Sequence, residues 1–134
     1  MTKDNFDHVT VVKEFTFDSA HYLPDHPGKC KQLHGHTYKL QIGIQGPINE
    51  AGMVIDFDDL ETIVKNDIIE FLDHKCLNDV KDYEFPGFLP TAEMMVLWIR
   101  NRFFQRLSPG IGPKIVIVKL WETPTSYAEW RAWL

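Results

Sequence analysis

The sequence predicts an α+β domain in which two helices pack on one face of an antiparallel sheet. Two observations predict it. Apolar and polar residues alternate in two segments near the N-terminus and in one near the C-terminus, a period of two that is typical of strands. Between these segments, apolar residues recur every three or four positions in two stretches, which is the spacing of amphipathic helices. With a further short strand at the end, the predicted order is β-β-α-α-β-β, in a single domain over residues 1–134.

Two strands are predicted before the first helix, over Val9–His21 and His34–Gly46. Both alternate between polar residues and β-branched, aromatic or other apolar residues, which indicates one buried face and one solvated face. The connection between them, Tyr22–Leu33, is rich in proline, glycine and charge and is predicted to be a loop. Long loops without regular structure are uncommon unless they are functional, so this one is a candidate for a role in chemistry.

The two helices are located by their apolar spacing and by their capping residues. The first is predicted to begin with Asp58 as its N-cap and to run to about His74. A second long connection, Lys75–Pro90, follows it. Thr91 is then predicted to cap the second helix, which ends before Ser108.

The C-terminal part of the chain completes the sheet and supplies part of the core. A strand is predicted over Lys114–Glu122, and a last one over Ser126–Trp133 after a Thr-Pro turn. Trp98, Phe103 and Phe104 of the second helix are predicted to lie in the core.

The composition excludes several classes of function. The chain has 134 residues, 44% of them apolar and 25% charged, as in ordinary globular domains. A formal charge of −5 without a basic cluster argues against a nucleic-acid binder. No apolar run approaches the ~18–20 residues of a membrane span, and the first residues lack the apolar core of a secretory signal. We therefore expect a cytoplasmic protein that contacts neither nucleic acid nor membrane. Its two cysteines, Cys30 and Cys76, do not indicate a disulfide framework.

Three histidines form a candidate metal site. His34 and His36 are two positions apart on a predicted strand, so their imidazoles share a face. If the first two strands pair antiparallel, His21 comes close to both. Three imidazoles with one open position are typical of a catalytic zinc site. Imidazole ligation alone does not exclude iron, nickel or copper. The alternative, ordinary histidines at a strand end, is less favoured because a third histidine is in phase and a cysteine is near.

Two further groups near the histidines admit several interpretations. Cys30, in a loop with lysines on either side, is a base or nucleophile, a fourth zinc ligand that would close the site, or a thiol without a role. The position of Cys30 in a polar loop favours the catalytic interpretation. Asp73 and His74 form a carboxylate–imidazole pair that could exchange protons. From the residues alone, a histidine interacting with a helix C-terminus is the favoured interpretation of His74.

Glu122 ends an otherwise apolar strand face. A carboxylate is costly to bury there unless it is paired. It could accept two hydrogen bonds from the N–H edge of a heterocycle, or the strand could simply reach solvent at this point. The residues alone favour neither interpretation.

Six motifs occur in order along the chain. They are Phe17-Asp18-Ser19-Ala20-His21, Cys30-x-x-x-His34-Gly35-His36, Gly52-Met53-Val54-Ile55-Asp56-Phe57, Leu72-Asp73-His74-x-x-Leu77-Asn78, Pro90-Thr91-x-Glu93 and Glu122-Thr123. From about residue 10 to about residue 130, this set resembles the 6-pyruvoyl-tetrahydropterin synthase family. The short gap between Cys30 and His34 is most similar to the bacterial 6-carboxy-tetrahydropterin synthases of queuosine biosynthesis. One position differs from the family's pattern, because Met94 stands where many relatives have asparagine.

The resemblance implies a fold, an assembly and a site. The fold would be the tunnelling fold, in which the sheets of several subunits form a barrel, commonly in a hexamer of two trimers. Asp73 and His74 would serve the site of a neighbouring subunit. The matching residues are His21, His34 and His36 for one zinc ion per subunit, Cys30, Asp73 and His74 for catalysis, and Glu122, Thr91 and Glu93 for the pterin.

The resemblance also implies a reaction. It would be the zinc-dependent conversion of 7,8-dihydroneopterin triphosphate to 6-carboxy-5,6,7,8-tetrahydropterin, acetaldehyde and triphosphate, in queuosine biosynthesis. One alternative is the pyruvoyl-forming synthase, which acts on the same substrate. Others are a non-catalytic binding module stabilised by zinc with Cys30 as fourth ligand, and a zinc hydrolase. The hydrolase is less favoured because no glutamate stands beside His34-Gly35-His36.

Overall fold

The computed structural model describes residues 7–80, 89–107 and 112–132 of the chain. Within these ranges it confirms the predicted α+β class, with one five-stranded sheet and helices packed against it. The elements are, in chain order, β1 (His8–His21), β2 (His34–Pro47), α1 (Phe57–Val64), a π-helical turn (Lys65–Ile69), α2 (Glu70–Leu72), β3 (Lys75–Cys76), α3 (Ala92–Arg106), β4 (Lys114–Thr123) and β5 (Ser126–Arg131).

The strands lie side by side in the order β3-β1-β2-β4-β5. All neighbours are antiparallel except β1 and β3, which are parallel over two residue pairs. The four predicted strands are confirmed, and the predicted extension of the last one to Trp133 reaches beyond the described residues. Sequence periodicity misses β3, because two residues are too few to show a period of two. The rest of the second predicted connection, over residues 81–88, lies outside the described part of the chain.

Both helical segments begin at capped ends, one as predicted and one not. The Thr91 side chain accepts a hydrogen bond from the Met94 N–H and caps α3, as predicted. The prediction of Asp58 as the first N-cap is wrong. Asp56 is the cap, because its backbone is extended and its carboxylate accepts the Asp58 N–H at 2.7 Å. Asp58 lies in the first turn instead, where a negative charge is favourable.

The core lies between the sheet and the helices. A fully buried stripe on the first helical segment faces the apolar side of β2 and the buried face of α3. Its principal members are Leu60, Val64, Ile68, Leu72, Leu40, Ile42, Ile44, Met95, Ile99 and Phe103. Trp98 is also buried, as predicted, but Phe104 is 53% exposed and its prediction as a core residue is wrong. On a helix, Phe104 points about 100° away from Phe103, and its ring contacts Trp130 at the surface.

The register of β1 and β2 decides which side chains meet at one end of the sheet. The two strands pair over their whole length, and His21 lies opposite His34. On the other side of β2, Lys39 pairs with Trp121 of β4. Glu122, one residue further along β4, therefore reaches the same end of the sheet as the histidines.

No helix in the described part of the chain combines the length and the apolar character that crossing a membrane requires.

Capping gives a direct test of the fold at the start of α1. Replacing Asp56 by Ala removes the acceptor for the Asp58 N–H and should lower the free energy of unfolding by about 1 kcal/mol. Asp58→Ala keeps that N–H and should cost only a few tenths of a kcal/mol, from the lost charge near the helix N-terminus. Urea unfolding of both variants measures the difference, and Asp56→Asn is the control that retains a cap. An equal or larger loss in Asp58→Ala would contradict this assignment.

Candidate active site

A cluster of three imidazoles and one carboxylate lies at the end of β1, β2 and β4. One potential ligand atom from each of His21, His34, His36 and Glu122 lies within 4.8 Å of the others. Strand alternation explains the grouping, because the three histidines all point to the helix-facing side of two paired strands. His21 is almost fully buried, whereas the other three side chains are partly exposed. The structure thus brings together the three predicted metal ligands and adds Glu122, which was predicted for another role.

Backbone carbonyls fix the orientation of two of the rings. His21 Nδ1 lies 2.8 Å from the Pro90 carbonyl oxygen, and His34 Nδ1 lies 2.7 Å from that of Gln32. A carbonyl only accepts, so each Nδ1 carries a proton, and in the neutral form of either ring Nε2 has the lone pair that can bind a metal ion. Metal-binding histidines are commonly oriented in this way.

Glu122 interacts with two of the imidazoles. Its Oε1 lies 3.1 Å from His21 Nε2 and 3.3 Å from His36 Nε2. Hydrogen bonding to His21 holds the pKa of Glu122 below its usual value. Burial works against protonation of His21, but the bonds to Glu122 and to the Pro90 carbonyl outweigh it and raise the pKa of His21. Burial lowers the pKa of His36. Glu122 is therefore the carboxylate that stabilises positive charge on His21.

The donor set fits a zinc ion. His21 Nε2 and His36 Nε2 are 3.2 Å apart. Two ligands at ~2.0–2.1 Å from one zinc at a tetrahedral angle lie about 3.3 Å apart. The distances of 3.1 and 3.3 Å from Glu122 Oε1 to the same two nitrogens match this spacing as well. Cys30 belongs to neither of the clusters of potential ligands found among the described residues, which argues against a site closed by its sulfur.

Asp73 and His74 form a second cluster together with Asp18. His74 Nδ1 lies 2.9 Å from Asp73 Oδ2, so the predicted carboxylate–imidazole contact exists within one chain. Asp18 holds the pair through its backbone. Its N–H donates to Asp73 Oδ1 at 2.9 Å, and its carbonyl accepts the His74 N–H at 2.6 Å. The Asp18 side chain accepts from Thr37, on the face of the sheet opposite the three imidazoles.

The pair lies beside an open cavity. A space of about 560 Å³ at the edge of β1 is lined by His74, Lys75 and Cys76 together with the ends of β1 and β2. His74 itself is largely exposed and adopts a left-handed backbone conformation, with φ at 58°. Such a conformation is costly for a residue with a side chain and is concentrated at functional sites.

Cys30 lies in a short 3₁₀ turn, Lys29–Lys31, inside the connection between β1 and β2. Its thiol is free and half-buried. Its carbonyl accepts the Leu23 N–H at 2.7 Å, which closes the base of the loop. The structure therefore gives the predicted loop a defined shape.

Two of the three predicted pterin-binding residues line another cavity. A space of about 380 Å³ is lined by Glu93 and Glu122 with residues at the start of β5. Thr91, the cap of α3, lies two residues before Glu93.

Three contacts at the site are not predictable from the residue pattern. The Pro90 carbonyl has no side-chain signal, and the backbone role of Asp18 cannot be read from its identity. Asn78 makes two hydrogen bonds to the backbone of Tyr22, and only its place in the motif that contains Asp73 pointed to it.

Comparison with known proteins identifies the family. The model of the 6-pyruvoyl tetrahydropterin synthase family matches residues 10–132. The chain belongs to this family. A 6-carboxy-5,6,7,8-tetrahydropterin synthase from Haemophilus influenzae is 40% identical over 142 aligned positions, covering 90% of this chain and 97% of the relative. The Synechocystis protein of the same name is 35% identical, covering 90% and 91%.

Solved structures of the family share the fold. The 6-pyruvoyl tetrahydropterin synthase of Caenorhabditis elegans superposes with a TM-score of 0.82 at 21% identity, covering 97% of this chain and 99% of that one. The Plasmodium vivax enzyme superposes with a TM-score of 0.72 at 21% identity, covering 96% and 99%. These likenesses confirm the predicted tunnelling fold for the subunit.

Acid titration tests the hydrogen bonds to Asp73. The Asp18 N–H, and after it His74, hold the pKa of Asp73 below its usual range. A lowered pKa contributes stability above the unfolded value of about 3.9, and this contribution is lost as the pH falls through the folded value. Wild type should therefore have a larger free energy of unfolding than Asp73→Asn at pH 6, and this difference should vanish below about pH 4. Urea unfolding between pH 3 and 7 measures the difference. A difference that does not depend on pH would contradict the assignment.

Proposed function

We propose that this chain is a zinc-dependent lyase that converts 7,8-dihydroneopterin triphosphate to 6-carboxy-5,6,7,8-tetrahydropterin, acetaldehyde and triphosphate in queuosine biosynthesis. The observation that carries the proposal is the cluster of three imidazoles beside Glu122, in a chain of this family. The names of the Haemophilus and Synechocystis relatives support the carboxy product.

His21, His34 and His36 would hold the zinc. When bound, the ion supplies Lewis acidity that polarises oxygen atoms of the substrate side chain. The two carbonyl contacts at Nδ1 orient the rings before the ion arrives. A site held by three protein ligands leaves a position for substrate, as catalytic zinc requires.

The proposed proton transfers use two groups. Cys30 Sγ removes a proton from the substrate side chain. His74 exchanges a proton through Nε2, because its Nδ1 is engaged by Asp73. Free thiols also suit the reducing cytoplasm, where we place the protein.

Glu122, Glu93 and Thr91 are proposed to hold the pterin in the cavity between α3 and β5. A carboxylate can accept two hydrogen bonds from the N–H edge of a pterin, and fixed orientation is worth several orders of magnitude in rate. The Thr91 oxygen accepts the Met94 N–H, which leaves its hydroxyl proton free to donate. Glu122 also lies against His21 and His36, so it would link the ring of the substrate to the metal end of the site.

We further propose a homo-oligomer, a hexamer of two trimers, in which Asp73 and His74 serve the site of a neighbouring subunit. Among the described residues, β3 pairs with β1 only at Ser19 and Ala20, so the outer edge of β1 before Asp18 is open. The outer edge of β5 is open as well. Pairing of these edges between copies would close a barrel and remove both edges. The separation of the Asp73–His74 cluster from the imidazoles agrees with a site completed across subunits.

Product analysis tests the reaction. Zinc-loaded protein incubated with 7,8-dihydroneopterin triphosphate should release acetaldehyde and 6-carboxy-tetrahydropterin, followed by mass spectrometry. A 6-pyruvoyl product without acetaldehyde would assign the sister activity and overturn the proposed product. No turnover with zinc bound would overturn the enzyme proposal in favour of a zinc-stabilised binding module.

Metal content tests the separate roles of histidine and cysteine. Wild type should hold one zinc per subunit, and His36→Ala should lose it, because two imidazoles bind zinc far more weakly than three. Cys30→Ala should retain the zinc and lose turnover by at least ~10²-fold, as expected for loss of a general base. Elemental analysis after dialysis measures the zinc. Loss of zinc from Cys30→Ala would contradict the catalytic role.

A further inference from the structure

The Asn78 side chain makes two hydrogen bonds to the backbone of one residue, Tyr22. Its Oδ1 accepts the Tyr22 N–H at 3.0 Å, and its Nδ2 donates to the Tyr22 carbonyl at 2.9 Å. A side-chain amide that satisfies both backbone groups of a residue reproduces the pairing that a neighbouring strand would supply.

This contact lies where the regular pairing of β1 ends. β3 pairs with β1 at Ser19 and Ala20, and the chain then turns into the 3₁₀ helix Leu77–Asp79. Tyr22 follows the last residue of β1, beyond this short ladder. Asn78 therefore continues the pairing by means of its side chain.

The Asn78–Tyr22 contact is linked to Cys30 through the next residue of the chain. Leu23, the residue after Tyr22, donates its N–H to the Cys30 carbonyl at 2.7 Å. Asn78 thus anchors the first residue of the loop, and the adjacent residue holds the backbone of Cys30. His21, directly before Tyr22, has its ring fixed separately by the Pro90 carbonyl.

We infer that Asn78 is a positioning residue that fixes the Cys30 loop against the end of β1, an inference that rests on the proposed role of Cys30. Asn78 is half-buried and lies four residues after His74, on the segment that carries the Asp73–His74 pair. One side chain therefore ties two proposed catalytic segments together. A misplacement of about 1 Å at a reacting group can cost ~10²-fold in rate.

Two isosteric variants test the inference. Asn78→Asp replaces Nδ2 by an oxygen that faces the Tyr22 carbonyl. Asn78→Leu removes both hydrogen bonds to Tyr22 and also the weak contact that the Cys76 thiol donates to Oδ1 at 3.9 Å. Each should lower kcat by about 10²-fold, with little change in KM and with zinc content unchanged. Asn101→Asp is the matched control, because Asn101 is exposed on α3, and it should behave as wild type. Circular dichroism and thermal unfolding establish that each variant is folded.

A second measurement is independent of the substrate. Alkylation of Cys30 by iodoacetamide, resolved from Cys76 by peptide mass mapping, should become several-fold faster in both Asn78 variants, because the half-buried thiol is released with its loop. Unchanged kcat in both variants, or loss of kcat only in proportion to lost zinc, would overturn the inference. If wild type does not turn over the substrate, the proposed function fails, and unchanged alkylation in both variants would overturn the role of Asn78 separately.

Discussion

The pairing of β1 with β2 is the constraint on which the site depends. Alternation places His34 and His36 on one face of β2, and the antiparallel register places His21 opposite His34. A shift of one residue would turn His21 to the other face of the sheet and would expose the apolar residues Phe15 and Phe17. Burial of the apolar core therefore fixes the strand register, and the same register brings the three imidazoles together.

The rest of the site is positioned by backbone groups rather than by large side chains. The Pro90 and Gln32 carbonyls orient two imidazoles, and the Asp18 backbone holds Asp73 and His74. His74 has φ at 58°, a conformation that costs roughly 1–3 kcal/mol for a residue of this kind. Its N–H bond to the Asp18 carbonyl helps to offset this cost. The result is an exposed imidazole whose direction is fixed by the edge of the sheet.

Much of this arrangement follows from the sequence, and the exceptions have physical causes. The fold class, the four long strands and the meeting of His21 with His34 and His36 are predictable, because a period of two is explicit in the residues. The cap at Asp56 is missed because Asp58 offers the same side chain two positions later, and only the backbone conformation distinguishes them. Phe104 is misassigned because adjacent phenylalanines on a helix cannot share a face. The Asn78–Tyr22 contact is invisible to periodicity, since the two residues are far apart in sequence and lie outside the regular strands.

We propose that three imidazoles hold the zinc, that Cys30 is not a ligand, and that Glu122 binds the pterin rather than the metal. X-ray absorption at the zinc edge of the loaded protein tests this most directly, because sulfur and nitrogen ligands differ in distance. We expect nitrogen and oxygen neighbours at about 2.0–2.1 Å with histidine scattering, and no sulfur. The spectrum of Glu122→Gln should be the same. A sulfur neighbour at about 2.3 Å would contradict the account by making Cys30 a ligand, and an altered first shell in Glu122→Gln would assign Glu122 to the metal rather than to the pterin.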